Sequence, residues 1–497
     1  MGRPTLFHVE LKRRGWDDWE EFCVHFTVGA RTLADRTGQR RLATASVGRT
    51  SFDRWAKPTY SGRPRAEAAQ VLEHIFGYSV EELFSPARTS AELRQPPTEA
   101  AAVIADRWPS TSRLIMPAIG AAGMWELTGR DSLAGTAAAV QVMTATHHEG
   151  SDEVHVLDPD GGLKQFLRPT ARRGFLMGVE EHPDGYGLYV LDAASARRAQ
   201  AVASSLGNSI AIPKAYRLDK LTYAILWFLA QLDDGLLADD QALDAESRNL
   251  EMYLALPRSS PNRQLLELTS AGSSWWASAF CAHYIERELQ SAGEIPAFWT
   301  REQCGAEAAP WLFFRHKIDY LKSTGRFADG GQAATRVFCV PEASVARTEP
   351  YERILLLLAI ALMERHGIRV RLVTDSAYAD MDGVAFIPGQ KAVVANWVRT
   401  GEALWAANTT ISRADLRSYG TAFADAEQID LLTNADPKNR LEELARFLGI
   451  DWTWVTTRCR AVAEQGVAGL VQTRSRHLTN EGIDDALSFL GTFAPRL

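Results

Sequence analysis

Cysteine is scarce in this chain and never occurs as a closely spaced pair. The 497 residues include five cysteines, which lie far apart: Cys23, Cys281, Cys304, Cys339 and Cys459. Zinc knuckles need closely spaced ligands and disulfide frameworks need paired cysteines, so this pattern argues against both. We therefore expect reduced, mostly buried thiols, no metal site and no bound cofactor.

Long apolar runs are also missing. No apolar stretch reaches the roughly 18 residues of a membrane span. The opening stretch, MGRPTLFHVELKRRGWDDW, has no apolar core of the kind found in secretion signals. Hydrophobic residues make up 46% and charged residues 23%, as in ordinary globular proteins. We expect a cytoplasmic, nucleoid-associated protein without membrane contacts.

Common catalytic motifs are absent from the sequence. It contains no G-x-x-x-x-G-K-[ST], no G-x-G-x-x-G after a strand, no H-E-x-x-H and no G-x-S-x-G. The segment RHKIDYLK holds His316 and Lys317, which could form a reactive cluster. Its helical spacing with the apolar Phe313 and Ile318 favours an ordinary helix surface instead. We therefore predict that the protein is not an enzyme.

The charge of the chain is unevenly distributed. The net charge is -7, but the stretch 31–65 carries nine Arg or Lys residues and two Asp residues, a local net charge of +7. One basic block in an acidic protein indicates a polyanion-binding site confined to that block. A solvated basic surface without a binding role is the alternative interpretation of the charge alone.

Apolar spacing within this block predicts a recognition helix. Val47, Phe52 and Trp55 can share an inner face, with Ser46 as the helix cap and Val47 filling the preceding turn. Residues 48–51 would then form an exposed first turn that enters the DNA major groove. The predicted DNA contacts, both base-reading and phosphate-binding, are Arg40, Arg41, Ser46, Arg49, Thr50, Ser51, Arg54, Lys57, Arg63 and Arg65.

Residues 1–86 resemble a known family. TLADRTG, SVGRTSFDRW and AEAAQVLEHIFGYSVEELF are similar to the Cro/repressor-type (XRE-like) helix-turn-helix domains of actinobacterial regulators. The resemblance implies an all-helical domain that binds double-stranded DNA. The segment GQRRLATA is longer than the turn usual in that family. Either RRLATA is the first helix of the motif or the segment is an insertion.

The rest of the chain reads as a multidomain α+β protein. A proline-bearing linker is predicted at 87–105, followed by an α+β domain at 106–260 with a long helix at 217–237. An α/β sensor or dimerisation domain at 261–424 and a winged-helix-like module at 425–497 complete the prediction. A two-stranded wing there would place Arg474, Arg476 and His477 against DNA as a second contact. A plain helical module is the alternative, because 425–497 has eight basic and eleven acidic residues.

Two further features concern the body of the protein. The α/β region faintly resembles phospholipase D-like domains, whose H-x-K-x-x-x-x-D segment would correspond to PGQKAVVANW, with Gln390 and Lys391 but no histidine. That resemblance implies a missing nucleophile. Tryptophans are numerous here, and they indicate either core positions or an aromatic effector pocket: Trp125, Trp227, Trp275, Trp276, Trp299, Trp311 and Trp397.

These observations favour a sequence-specific transcriptional regulator. One helix-turn-helix contacts only a half-site, so we expect a homodimer. The large body would sense a small-molecule effector or hold the dimer together. Two alternatives stay open: a scaffold whose basic domain docks an acidic partner, and an enzyme recruited to DNA.

Overall fold

The chain is a mixed α+β protein that divides into two compact units, Met1–Pro97 and Thr98–Leu497. The computed structural model describes the following residues: 4–14, 16–37, 40–60, 62–76, 80–85, 113–115, 123–128, 138–147, 150–157, 163, 166–169, 173–182, 185–203, 209–254, 268–290, 294–325, 333–400 and 404–495. The predicted linker 87–105 lies outside them.

The first unit is built of helices around an aromatic core. Its elements are α1 (Leu6–Arg14), α2 (Trp19–Thr37), a 3₁₀ helix (Arg40–Thr44), α3 (Arg49–Trp55), α4 (Ala66–Phe76) and α5 (Val80–Leu83). The two helices predicted at WDDWEEFCVHF and GARTLADRTG form one continuous helix, α2. Gly29 lies in the middle of α2 because α4 packs closely there: a Cβ at this position would lie 2.5 Å from Cγ1 of Ile75.

A seven-stranded sheet opens the second unit. Its strands are β1 (Arg113–Ile115), β2 (Gly123–Thr128), β3 (Ala138–His147), β4 (Glu153–Leu157), β5 (Gly174–His182), β6 (Gly185–Asp192) and β7 (Ser209–Pro213). β3 pairs with β5 in parallel, and the other pairs in this sheet are antiparallel. The segments EVHVL, GFLMGVEE and YGLYVLD, separated by turn-forming residues, predict β4, β5 and β6.

A six-stranded mixed sheet follows, in the order β10-β9-β8-β11-β12-β13. Its strands are β8 (Ala297–Thr300), β9 (Thr335–Cys339), β10 (Arg369–Val373), β11 (Val384–Ile387), β12 (Lys391–Asn396) and β13 (Ala406–Thr410). β8, β9 and β10 run parallel, whereas the remaining pairs are antiparallel. The segments VFCVPEASV (337–345) and IRVRLVT (368–374) predict β9 and β10, and VAFIPG and KAVVANWV, joined at Gly389 and Gln390, predict β11 and β12. All four strands are confirmed.

Helices surround both sheets. They are α6 (Ala193–Ala203), α7 (Lys220–Ser247), α8 (Leu250–Leu254), α9 (Ser270–Leu289), α10 (Gly305–Ala308), α11 (Pro310–Phe313), α12 (Arg315–Gly325), α13 (Glu342–Arg347), α14 (Pro350–Arg365), α15 (Arg413–Gln428), α16 (Pro437–Phe447), α17 (Trp452–Gln465), α18 (Val467–Leu470) and α19 (Glu481–Gly491), with 3₁₀ turns at Lys214–Tyr216 and Ser376–Tyr378.

Helix α7 begins later and ends later than the predicted 217–237. A capping box fixes its start, since the Asp219 carboxylate accepts hydrogen bonds from the N–H groups of Leu221 and Thr222. Among the described helices α7 alone is long and apolar enough to cross a membrane, yet 81% of its most apolar stretch is buried within the protein. Helix α7 is therefore a core helix.

The main apolar core of the second unit runs through all three predicted domains, and a second, smaller apolar cluster lies between the six-stranded sheet and α15. The buried helix α14 packs against α7, which belongs to the predicted domain 106–260, and against α16 and α19 of the predicted domain 425–497. The boundaries predicted at 260 and 424 therefore do not separate compact units. Turn-forming residues mark where elements end, but they do not show which elements share a core.

The C-terminal region departs from the winged-helix prediction in two places. The stretch IDLLTNAD is not helical: Leu431 N donates to Leu372 O at 2.8 Å, so this stretch runs along the edge strand β10. No two-stranded wing forms at 466–480, where the one β-type contact is an isolated bridge between Leu478 and Phe314. Helices α16, α17 and α19 confirm the other predicted helices of this region.

Candidate nucleic-acid interface

The inner face of α3 is fixed by the aromatic core of the first unit. Phe52 is buried, with its ring centroid 4.9 Å from that of Phe22. Trp55, one turn later, is also buried and meets Phe84 edge-on at 6.4 Å. The predicted inner face of Val47, Phe52 and Trp55 is confirmed, since all three are buried. The opposite face of α3 is thereby directed away from the core.

The turn before α3 is held by its backbone. The carbonyl oxygen of the buried Val47 accepts a hydrogen bond from Nε1 of Trp19 at 3.2 Å and a weaker one from Sγ of Cys23 at 3.5 Å. Gly48, not the predicted Ser46, is the N-cap residue, and no side chain caps the helix. Ser46 is exposed three residues before Arg49, the first residue of the helix, so its hydroxyl does not serve as the cap.

The residues before that turn bear on the two interpretations of GQRRLATA, a first motif helix or an insertion. Arg40–Thr44 forms a separate 3₁₀ helix packed against α2, with Leu42 fully buried. A distinct short helix therefore precedes the turn and α3, which agrees with RRLATA as a helix of its own. Residues 38 and 39 lie outside the described part of the chain.

The end of α3 is anchored by the start of the chain. Nδ1 of His8 lies 2.7 Å from the carbonyl oxygen of Ala56, at hydrogen-bond distance. Thr5 N donates to Pro58 O at 2.9 Å, just beyond the helix. Both ends of α3 are thus fixed, so its exposed side chains sit on a rigid support.

The exposed surface of this region carries most of the predicted DNA contacts. Arg49, Thr50, Arg54 and Lys57 are exposed on or just after α3, and Ser51 is half-buried. Arg41 is exposed on the 3₁₀ helix, and Arg63 and Arg65 are exposed before α4. The side chain of Arg40 lies outside the described residues. The structure therefore presents basic side chains on both sides of an exposed helix start.

The second set of predicted contacts is differently placed. Arg474 pairs through Nε with Oδ2 of Asp233 at 2.9 Å and through Nη2 with Asp234. Arg476, whose side chain is 54% exposed, pairs with Asp244, about three turns further along α7. These pairs hold both arginines against α7 rather than on the predicted two-stranded wing.

His477 is likewise directed inward. It is buried, its ring centroid lies 4.2 Å from that of Trp275, and its Nε2 is 3.5 Å from a carboxylate oxygen of Asp244. Burial holds the pKa of His477 below its ordinary value, which favours the neutral ring. The aspartates of α7 lie some 240 positions earlier in the sequence. The sequence pattern around His477 therefore could not predict this contact.

The phospholipase D-like segment forms the β11–β12 hairpin. Gln390 is exposed in its turn, and the Lys391 ammonium donates to the carbonyl oxygen of Glu288 at the end of α9. Lys391 is therefore engaged in joining the sheet to a helix. The described residues contain no group of three or more His, Cys, Asp or Glu side chains that could hold a metal ion.

One buried charged cluster was not predicted from the sequence. Lys317, predicted to lie on a helix surface, is buried beside Trp311, and Arg336 of β9 is buried next to it. A signal existed: Lys317 shares the spacing of the apolar residues Phe313, Tyr320 and Leu321, which places it on the inner face of α12.

Comparison with known proteins gives no match at any level: no family model matches the chain, no curated protein matches its sequence, and no solved structure matches its fold.

Proposed function

We propose that the protein is a sequence-specific DNA-binding regulator that uses the first turn of α3 to read base edges. The observation that carries the proposal is the exposed start of α3, with Arg49 and Thr50 outward while Phe52 and Trp55 fix the opposite face. A short helix anchored at its back and polar at its N-terminus suits insertion into the major groove.

The residues divide into two roles. Arg49 can hydrogen-bond a guanine edge bidentately, and Thr50 can contact a thymine methyl or a phosphate. Arg41, Lys57, Arg63 and Arg65 flank them and are suited to phosphates, which position a protein on the duplex without reading its sequence. Such contacts make affinity fall steeply as salt rises.

The test begins with selection of bound duplexes from a randomised library by the full-length protein, followed by gel shifts on the selected site. Arg49→Ala should weaken specific binding about 10- to 100-fold, the equivalent of losing one bidentate base contact. Arg63→Ala should instead weaken binding to all duplexes alike and reduce the salt slope by about 1.

Arg446→Ala is the matched control, because Arg446 is highly exposed on α16 in the other unit. It should leave both affinity and salt slope unchanged. Wild-type affinity in both Arg49→Ala and Arg63→Ala would refute the assignment. Equal affinity of the wild type for every duplex would instead favour a basic docking surface.

We further propose that the regulator binds as a homodimer. A seven-residue helix such as α3 covers one half-site, and adequate specificity usually comes from two copies on a pseudo-palindrome. Light scattering during size-exclusion chromatography should show twice the 54.9 kDa chain mass in the DNA-bound protein. The selected duplexes should contain inverted repeats about one helical turn apart. A monomer with and without DNA would contradict this proposal.

A further inference from the structure

A small cavity in the second unit is lined by three buried charged side chains. It lies where β8, β9 and β12 meet α9 and α12, and its volume is about 50 Å³. Glu302, Lys317 and Arg336 all line it, and each is at most 5% exposed. Charged side chains are rarely buried to this degree unless they are paired or bind something.

Glu302 is fixed on one wall by two tryptophans. Its Oε1 accepts hydrogen bonds from Nε1 of Trp311 at 2.9 Å and from Nε1 of Trp397 at 3.2 Å. Indole N–H groups are donors only, so the Glu302 oxygen is the acceptor in both hydrogen bonds. Glu302 is therefore the carboxylate of the cluster, held in place by both rings.

Arg336 has an unused hydrogen-bonding edge. Its Nη1 donates to Oγ1 of Thr300 at 3.0 Å, but its buried Nε and Nη2 donate no hydrogen bond to any residue that the structure describes. The rings of Phe298 and Trp311, at 4.6 and 4.8 Å from the guanidinium carbon, hold the group in place. Nε and Nη2 together form the side-on fork that binds a carboxylate or phosphate bidentately. Leaving such donors buried and unpaired is unfavourable, so an acceptor bound between them would stabilise the site.

Lys317 is the second cation of the cavity. Its ammonium group donates no hydrogen bond among the described residues. Its Nζ lies 3.7 Å from the ring centroid of Trp311 and 4.8 Å from that of Trp397. Burial lowers the pKa of Lys317 to about 8, against the opposing effect of Glu302. Arg301 also lines the cavity, but it pairs with Asp382 at 3.8 Å. At neutral pH the other two cations therefore face one carboxylate, which leaves an excess of one positive charge.

We propose that this cavity is a binding site for a small oxyanion, held side-on by Arg336 and neutralised by Lys317. The ligand class is a carboxylate or phosphate group: it supplies the paired acceptor oxygens that the guanidinium edge lacks. A water occupies at least 10–15 Å³ by this kind of measure, so the cavity has room for a few heavy atoms. Ligand pockets for drug-sized molecules are about 300–1,000 Å³, well above this volume.

The experiment is calorimetric titration of the full-length protein with sodium acetate and with sodium phosphate, each against sodium chloride at equal ionic strength. We expect saturable one-to-one binding of at least one anion, and the tighter one identifies a carboxylate or a phosphate ligand. Arg336→Lys, which keeps the charge but loses the fork, should bind at least about 10-fold more weakly. Arg336→Gln should abolish binding, and the exposed control Arg446→Gln should bind as the wild type does.

The pH dependence in the wild type gives a test that needs no variant. As the pH rises through about 8, Lys317 loses its charge, so the affinity for acetate should fall by up to 10-fold per pH unit. The charged and titratable groups facing Lys317 are Glu302, Arg336, Cys281 and Tyr320. Burial raises the pKa of Cys281 to about 12 and raises that of Tyr320, so neither titrates in this range.

Two results would overturn the proposal: no saturable binding of either anion to the folded wild type, or wild-type affinity in a folded Arg336→Gln variant. An affinity for acetate that stays constant between pH 7 and about 9.5 would remove Lys317 from the site. None of these readouts uses DNA, so the outcome is independent of the function proposed for the first unit.

Discussion

Replacing Asp233 with alanine is expected to destabilise the second unit by about 3–5 kcal/mol, the cost of removing one partner from a buried ion pair. Asp233 is fully buried on α7 and pairs with Arg173 and with Nε of Arg474, the latter at 2.9 Å. Its Oδ1 also accepts the N–H groups of Arg474 at 2.7 Å and Ser475 at 2.9 Å. The variant leaves these donors without their acceptor in the protein interior.

The measurement is chemical denaturation of the full-length protein, followed by tryptophan fluorescence and circular dichroism. Asp244→Ala is the matched control on the same helix, because its pairing with Arg476 involves partly exposed side chains and such pairs contribute about 0–1 kcal/mol. Equal stabilities of Asp233→Ala and Asp244→Ala would show that the buried cluster does not hold the unit together.

The pKa of Asp233 also predicts how the stability of the second unit depends on pH. Burial raises the pKa of Asp233, but Arg173 and the N–H groups of Ser475 and Arg474 outweigh it, so the pKa lies below the ordinary 3.8. A lowered pKa in the folded state contributes stability that is present above pH 3.8 and is lost as the pH falls towards the folded value. The unfolding free energy of the wild type should therefore exceed that of Asp233→Asn by less and less as the pH falls below about 4.

The second large effect is expected in the first unit. Phe22→Ala should destabilise that unit by about 3–5 kcal/mol, because it leaves a cavity under α3. Phe22 is fully buried, and its ring lies 4.9 Å from Phe52 and 6.0 Å from Phe7. A small domain has a total stability of about 5–15 kcal/mol, so a large part of it would be lost.

Thermal unfolding followed by near-ultraviolet circular dichroism checks this prediction. Val24→Ala is the control, since Val24 lies on the same helix and is 61% exposed. A surface change of this kind should alter the unfolding free energy by less than about 0.5 kcal/mol. Equal shifts in the two variants would indicate that α2 and α3 do not share the packed core described above. If the proposed function is correct, Phe22→Ala also weakens DNA binding at temperatures where the unit unfolds.

Periodicity in the sequence predicted the faces of individual elements well. The inner face of α3 and the apolar stripe of α7 follow from spacing that repeats every 3.6 residues, and short strand-like apolar segments predicted β9 and β10. It was less successful with boundaries: α2 was predicted as two helices, because Gly29 reads as a break in the sequence. Only the close approach of Ile75 explains a glycine inside that helix.

Charge in the sequence was a weaker guide to function. The basic block 31–65 and the trio Arg474, Arg476 and His477 gave similar signals, yet in the second set both arginines pair with aspartates of α7 and His477 is buried. Lys317 was predicted to lie on a helix surface, but its spacing puts it on the inner face of α12, where packing buries it beside two tryptophans. A charged side chain reveals its role only through the groups that surround it.

The sequence by itself determined the helical make-up of the first unit, the outward position of Arg49 and Thr50, and most strands of the second. Those features depend on residues within a few positions of each other, whose side-chain directions are set by backbone geometry. The tertiary structure alone decided which core joins the three predicted domains of the second unit, the pairing of Arg474 with Asp233 and the meeting of Lys317 with Arg336. These depend on which surfaces pack together across hundreds of residues, and that choice is made by the burial of the whole chain.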